Sequence, residues 1–221
     1  MNEDGSSAGK LIERYWEDLL EAEPMLGTAI GDERFDDRLP DPGPAGRAQR
    51  ERLHRGALEE LGSFEIGALD EDRRVSLDIL EAIARRDLAA LQHRTDRLSA
   101  VSHLWGPAGL VGELASLQRA DTPERLDRYR ARIAATPAFY DAELEIMREG
   151  IADGVTAPRI VAERALAHAR AAAHARRDAR HVGIAGGEAA VVADLDPFAV
   201  AAVAAGLDHP AGTGGEDRRA G

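Results

Sequence analysis

Three helix-start signals between residues 122 and 168 constrain the fold of this chain more than any other feature. Thr122-Pro123-Glu124 combines a capping threonine, a proline suited to the first helical position and an acid in the first turn. Thr136-Pro137 repeats the signal, and Thr156 precedes a third proline by two positions. The three predicted helices are joined by very short turns, which is typical of antiparallel neighbours.

Apolar residues recur at helical spacing in this stretch. The stripes of its first two helices are Leu126, Tyr129 and Ile133, and then Tyr140, Leu144, Met147 and Ile151, widened by Phe139 and Ile146. Gly154 is suited to a left-handed stop after the second helix. No segment of the chain alternates polar and apolar residues over strand length. The sequence therefore predicts an all-α fold, built as a multi-helix antiparallel array.

Earlier segments add further predicted helices. These begin near Leu11, Pro24, Ala45, Asp70 and Leu110. For the fourth, either Asp70 or Asp72 can act as the cap of a long helix that runs to about His93. A charged loop from Asp32 to Asp41 separates the second and third helices, and its prolines make it non-helical.

The chain divides into three predicted regions. Residues 1–10 are polar and acidic, and we expect a disordered N-terminus. Residues 11–168 form the helical region. Residues 169–221 are rich in Ala, Arg and Gly, and Phe198 is their only aromatic residue. So few large side chains cannot offset the entropy of ordering, so we expect a low-order tail that is disordered or loosely docked.

Composition excludes several classes of function. The net charge is −12, whereas nucleic acids and anionic membranes attract clustered positive charge, so we expect neither as a partner. The chain contains no cysteine, which excludes disulfides, thiolate nucleophiles and cysteine-bound zinc. The polar N-terminus lacks the pattern of a secretory signal, and no apolar run is long enough to span a membrane. A cytoplasmic location is the default expectation.

The loop from Asp32 to Asp41 carries the densest group of candidate site residues. Asp32, Asp36 and Asp37 suggest an oxygen-ligand metal site, but the loop lacks the spacing of a calcium loop. Interleaved arginines favour local ion pairing and capping instead. We predict Trp105, Asp36, Asp37 and Arg38 as candidate cleft-lining residues, with a packing role as the alternative for Trp105.

Other titratable residues give weaker signals. His54, His93 and His103 each stand alone, and we predict surface or core-edge positions for them rather than ligand roles. His168 and His174 are six residues apart and do not share a helix face. The acids Glu143, Glu145 and Glu149 are interpreted as a solvated face. The sequence thus predicts no catalytic residue and no metal ligand.

Several short segments, in order, match one family pattern. They are Tyr15-Trp16-Glu17 through Pro24, Gly31 through Asp41, Trp105-Gly106-Pro107, Thr136 through Tyr140, Met147 through Pro158, and Val161 through Arg164. Over residues 11–168 the chain resembles the bacterial family called domain of unknown function 885. The resemblance implies an all-helical fold with a cleft, similar to zinc carboxypeptidases. It also implies a zinc-binding His-Glu-x-x-His helix in the later half of longer family members.

That zinc motif has no counterpart here. No histidine of the chain is followed by glutamate, and none has a second histidine four residues on. We therefore expect no cofactor in this chain and no activity from it alone. The leading hypothesis is the N-terminal portion of a metallopeptidase-like protein without its catalytic half, with departure from the family pattern near His168. A reading-frame shift or gene degradation explains such a departure, and the DNA downstream of codon 168 tests it.

Two alternatives remain open. In one, the chain is a non-enzymatic, acidic helical module that binds a partner protein. In the other, a separately encoded chain supplies the zinc helix and associates with this one. Missing partners leave apolar helix faces exposed, so we also expect self-association.

Overall fold

The computed structural model describes residues 3–65, 67, 69–102 and 109–167, and every regular element in these ranges is helical. The elements are α1 (Glu3–Ala22), α2 (Pro24–Ala29), a 3₁₀ turn (Glu33–Phe35), α3 (Pro44–Leu61), α4 (Glu71–Gln92), α5 (Asp96–Ser99), α6 (Leu110–Leu117), α7 (Pro123–Ala134), α8 (Thr136–Ala152) and a final helical stretch at 159–167. The predicted all-α class is confirmed. Within these ranges, no helix combines the length and apolar character that crossing a lipid bilayer requires.

The main core forms where α1, α3 and α4 pack together. Its fully or nearly fully buried members include Leu11, Tyr15, Leu19, Ala57, Leu61, Leu77, Leu80 and Ala84. On α4, Leu77, Leu80 and Ala84 recur at intervals of three and four residues and so share one face. These three residues form the buried face of the long helix that the sequence predicts to run to about His93.

The first helix begins earlier than predicted. α1 starts at Glu3, so the expected disorder of residues 1–10 is wrong for Glu3 to Lys10. Ala8 lies one turn before Leu11 on the same face, and its side chain is fully buried in the main core. Burial of this small residue extends the helix to the N-terminal side of Leu11, near which the predicted helix begins.

The helix termini follow the predicted capping chemistry in most places. The Asp70 side chain accepts a hydrogen bond from Arg73 N at 3.0 Å, and Thr122 Oγ1 accepts one from Arg125 N at 3.3 Å. Gly154 ends α8 with a φ of 69°. Thr136 differs: it lies inside α8, and its hydroxyl donates to Ile133 O at 2.7 Å instead of capping the helix.

The buried face of α8 is rotated from the predicted stripe. Thr136, Ile146 and Gly150 are buried, whereas Ile151, a member of the predicted stripe, is 55% exposed. Gly150 explains this orientation, because a Cβ there would lie 3.4 Å from the Arg97 Cβ and still closer to Val155 O. The glycine lets α5 approach α8 closely on that face.

A second buried cluster forms around Arg132, a fully buried residue of α7. The apolar part of the cluster consists of Leu110, Leu114, Tyr129 and Ile133. The Arg132 guanidinium donates to the main-chain oxygens of Phe35 at 2.5 Å and Arg38 at 2.8 Å. It also donates to Thr28 Oγ1 at 2.8 Å and Gln118 Oε1 at 3.0 Å. One side chain thereby connects α2, the 3₁₀ turn, α6 and α7.

Candidate functional site

A cavity of about 590 Å³ lies where α3, α4, α5 and α8 face one another beside the end of α1. Its apolar lining includes Leu19, Leu91, Leu110, Phe139 and Ile146. Among the described residues, its ionisable lining consists of Glu23, Asp87, Asp96, Glu113, Glu143, Arg47, Arg50 and His54. Ligand sites are concave, mostly apolar and provided with a few polar groups, so this cavity is the candidate site.

The start of α3 positions three of the cavity's polar side chains. Arg47, Arg50 and His54 recur at intervals of three and four residues and so share one helix face. The Asp41 carboxylate accepts hydrogen bonds from Gly43 N at 2.8 Å and Gly46 N at 2.9 Å, which holds the first turn of the helix.

Both cavity guanidiniums bind main-chain oxygens of the preceding loop. Arg50 Nη1 donates to Asp41 O at 2.9 Å and lies 3.6 Å from a Glu23 carboxylate oxygen. Arg47 Nη1 donates to Pro42 O at 3.3 Å and lies 3.9 Å from Asp96 Oδ2. Burial raises the pKa of Glu23, and Arg50 opposes that rise. The two arginines are thus fixed in place and partly neutralised.

His54, which lines the cavity, forms a buried pair with Tyr15. Tyr15 Oη lies 3.1 Å from His54 Nδ1, and the two residues are 5% and 2% exposed. Burial lowers the pKa of His54 and raises the pKa of Tyr15 to about 12. Both side chains are therefore neutral near pH 7. The expectation of a surface or core-edge position for His54 is wrong, and its spacing of three and seven residues from Ala57 and Leu61 was the available signal.

Glu143 lies on the cavity-facing side of α8. It follows Phe139 by four residues and precedes Ile146 by three, so all three share one face. Burial raises the pKa of Glu143 to about 7, with Asp96 adding to the rise and Arg50 opposing it. Its interpretation as part of a solvated face is wrong because the buried face of α8 is rotated. Glu145, by contrast, is exposed and pairs with Arg148.

Comparison with known proteins places the chain in a family. Residues 24–211 match the family described as bacterial protein of unknown function, DUF885. The chain belongs to this family. The match continues past His168, so the departure from the DUF885 pattern that is predicted near this residue is not borne out by the family match. No curated protein matches the chain.

One solved structure gives the fold of this DUF885 chain a wider context. The chain is similar to a proposed lipoprotein of unknown function from Shewanella oneidensis, with a TM-score of 0.62 and 16% sequence identity. The similarity covers 90% of this chain and 37% of that one. This chain thus spans little more than a third of its structural neighbour's length.

Three of the four residues predicted to line a cleft, Asp36, Asp37 and Arg38, lie elsewhere. Asp36 is buried, accepts a hydrogen bond from Thr28 Oγ1 at 2.6 Å and lies 3.8 Å from the Arg132 guanidinium. Arg38 is on the surface, where it lies 3.5 Å from Asp37 and donates to Glu21 at 2.6 Å. None of these three predicted residues lines the cavity described above. Trp105 lies outside the described residues, as do His103, His168, His174 and residues 169–221.

The acidic loop does not form a metal centre. Asp32 caps the 3₁₀ turn by accepting from Arg34 N at 3.1 Å, and it also pairs with the Arg34 guanidinium. Asp36 faces the protein interior, whereas Asp37 faces solvent. In the described ranges, no group of three or more His, Asp or Glu side chains could hold a metal ion. These residues therefore do not fit the zinc site that the family resemblance implies.

Proposed function

We propose that this chain forms the helical, non-metal-binding wall of a zinc metallopeptidase-like protein, and that its cavity binds part of a peptide. The observation that supports this proposal is the cavity. Its volume of about 590 Å³ lies in the range of roughly 300–1,000 Å³ that is usual for small-molecule sites. It combines apolar walls with fixed carboxylate and guanidinium groups, which suits a ligand with apolar side chains and charged ends.

Zinc chemistry is no part of what these residues do. Since they do not fit a zinc ion, we assign to them the binding and orienting of a ligand, with no hydrolytic step. The 221-residue chain alone is expected to leave peptides intact. About two thirds of the structural neighbour lies beyond the similar region. That length leaves room for a catalytic part in longer relatives.

Peptide binding and cleavage by the purified chain test this proposal. We expect trialanine to bind, both free and N-acetylated, as measured by calorimetry, and we expect no cleavage. Stoichiometric zinc with chelator-sensitive peptide cleavage would overturn the non-metal-binding role. A folded chain that binds neither form of trialanine would overturn the peptide-binding role.

A second candidate is a non-enzymatic helical module that associates through an apolar face. Val75 and Ile79, one turn apart on α4, are 48% and 55% exposed. Their partner is either a second copy or a separately encoded catalytic part. Sedimentation of the chain should then show self-association that a V75S/I79S variant reduces. If the chain is monomeric at every concentration tested, a second copy is ruled out as the partner.

The cytoplasm is the proposed location. The structural neighbour, described as a proposed lipoprotein, supplies the competing location at a membrane surface. Cell fractionation of the native protein distinguishes the two.

A further inference from the structure

α8 places a carboxylate in the middle of an otherwise apolar wall of the cavity. Glu143 lies between Phe139 and Ile146 on one helix face. Within the part of the chain that the structure describes, no donor makes a hydrogen bond to its carboxylate. A partly desolvated carboxylate among apolar side chains is unfavourable unless another charge compensates it. The position therefore requires a reason other than packing.

The two guanidiniums of the cavity do not supply that compensation directly. Arg50 is held by Asp41 O and lies beside Glu23, while Arg47 is held by Pro42 O and lies beside Asp96. Carboxyl groups outnumber guanidiniums five to two among the described lining residues. Two of the five carboxylates pair with arginines outside the lining, Asp96 with Arg94 at 3.0 Å and Asp87 with Arg86 at 2.7 Å, whereas Glu143 has no ion pair within the described ranges.

The buried imidazole of His54 is a second, independent sign of a ligand. The residue is 2% exposed, lines the cavity and uses Nδ1 for its contact with Tyr15. Among the described residues, Nε2 has no hydrogen-bond partner. In the described ranges the one buried side-chain polar atom without a partner is Arg97 Nε, so His54 Nε2 keeps some accessibility, and a group that enters the cavity can hydrogen-bond to it. Because the imidazole is neutral, it does not repel a cation there.

We propose that the cavity binds an organic cation, a primary ammonium on an aliphatic chain, with the ammonium beside Glu143 and the chain against Phe139 and Ile146. The carboxylate supplies the opposite charge, and the face of the Phe139 ring attracts cations. The apolar side chains bind the aliphatic part by excluding water from it. This inference rests on the proposed function only because it takes the same cavity as the binding site. It further specifies that the ligand group beside Glu143 is positively charged.

Calorimetric titration of the 221-residue chain at about pH 8 tests the charge of the ligand. The probes are n-pentylammonium and 1-pentanol, which have nearly the same shape and differ in charge. We expect pentylammonium to bind at least about 10-fold more tightly, which corresponds to about 1.4 kcal/mol. Equal binding of the two probes, or no binding of either by a cooperatively folded chain, would overturn the proposal.

Two variants locate the cation within the cavity. Glu143→Gln keeps the side-chain shape and should weaken pentylammonium binding about 10-fold while leaving pentanol binding unchanged. Phe139→Leu keeps an apolar residue without the ring, and a cation–π contact of about 0.5–1 kcal/mol predicts a loss of roughly 2- to 5-fold. Glu145→Gln, on the exposed side of the same helix, is the matched control and should bind like the unchanged protein. Undiminished binding by Glu143→Gln would overturn the assignment.

The two proposals can fail separately. If pentylammonium binds and neither form of trialanine does, the cation site stands and the peptide-binding function fails. If free and N-acetylated trialanine bind equally and pentylammonium does not, the function stands and the cation site fails.

Discussion

In the core formed by α1, α3 and α4, the buried side chains are mostly aliphatic, whereas the contact of α7 with α2 and the 3₁₀ turn depends on one fully buried arginine. The aliphatic core distributes its stabilisation over many residues, each contributing through excluded water and packing. The Arg132 contact concentrates its hydrogen bonds in a single guanidinium. Loss of one side chain should therefore affect the two regions very differently.

The largest effect is expected from Arg132→Met. The change removes a fully buried cation together with the hydrogen bonds that it donates to Thr28, Gln118 and two main-chain oxygens. Breaking a buried charged network by removing one partner costs about 3–5 kcal/mol of unfolding free energy. Urea denaturation measures the loss, and Arg130→Met, which is exposed on the same helix, should change little. A loss below about 1 kcal/mol would mean that the network contributes no more than an ordinary hydrogen bond.

Leu77→Ala tests the aliphatic region. Leu77 is fully buried in the main core, and truncation of such a residue costs about 2–5 kcal/mol, depending on how far the cavity collapses. Because many neighbouring side chains of this core contribute to stability, we expect a loss of unfolding free energy near the lower end of that range. Ile79→Ala, at an exposed position of the same helix, is the control and should cost less than about 1 kcal/mol. Equal losses at the two positions would contradict the assigned core.

Glu143 lines the cavity and belongs to neither region, and its substitution should reveal a pH-dependent change in stability. The raised pKa of about 7 means that the folded chain retains a proton that the unfolded chain releases above its ordinary pKa of 4.5. Folding stability therefore falls as the pH rises from about 4.5 to 7. Glu143→Gln removes this fall and should stabilise the protein at pH 8 by about 1–2 kcal/mol, reduced from the full shift by partial exposure.

Thermal unfolding at two pH values measures that difference. Near pH 5 the variant and the original protein should differ little, because the glutamate is then mostly protonated in the fold. Glu145→Gln should show no such pH dependence. A stabilisation of the same size at both pH values would mean that the charge of Glu143 is not its cause.

The smallest effect is expected from an exposed arginine, which contrasts with Arg132. Arg34 pairs with Glu17 and Asp32 at the surface, where water and salt weaken the attraction. Arg34→Gln should leave the urea midpoint unchanged within error, both in low salt and in about 1 M salt. A clear, salt-dependent loss would show that surface pairs contribute to the contact between α1 and the 3₁₀ turn.

The aliphatic region could be predicted from the sequence because its information is local. The stripe of Leu77, Leu80 and Ala84 and the Asp70 cap each depend on residues within a few turns of one another. Arg132 also gives a local sign, since it lies between Tyr129 and Ile133 on an apolar face. Two of its four acceptors, however, are main-chain oxygens more than ninety residues away, and no side-chain pattern encodes where those oxygens lie.

The candidate site could be predicted only in part, for a related reason. Two apolar stripes overlap on α8, one through Tyr140 and Leu144 and the other through Phe139 and Ile146. Which stripe is buried depends on the close approach of α5 at Gly150, and that contact determines whether Glu143 faces solvent or the cavity. The helix was therefore predictable and the direction of its carboxylate was not.

In the first turn of α3, the space around Gly46 affects the position of Arg50, a charged residue of the cavity. A methyl group on Gly46 would overlap the Asp41 carbonyl oxygen, the same atom that accepts the hydrogen bond from Arg50. Any larger residue at Gly46 must displace that carbonyl, and the displacement reaches the guanidinium beside Glu23. We therefore expect variation at this glycine to change the binding of the proposed ligand, although the glycine itself has no side chain with which to touch it.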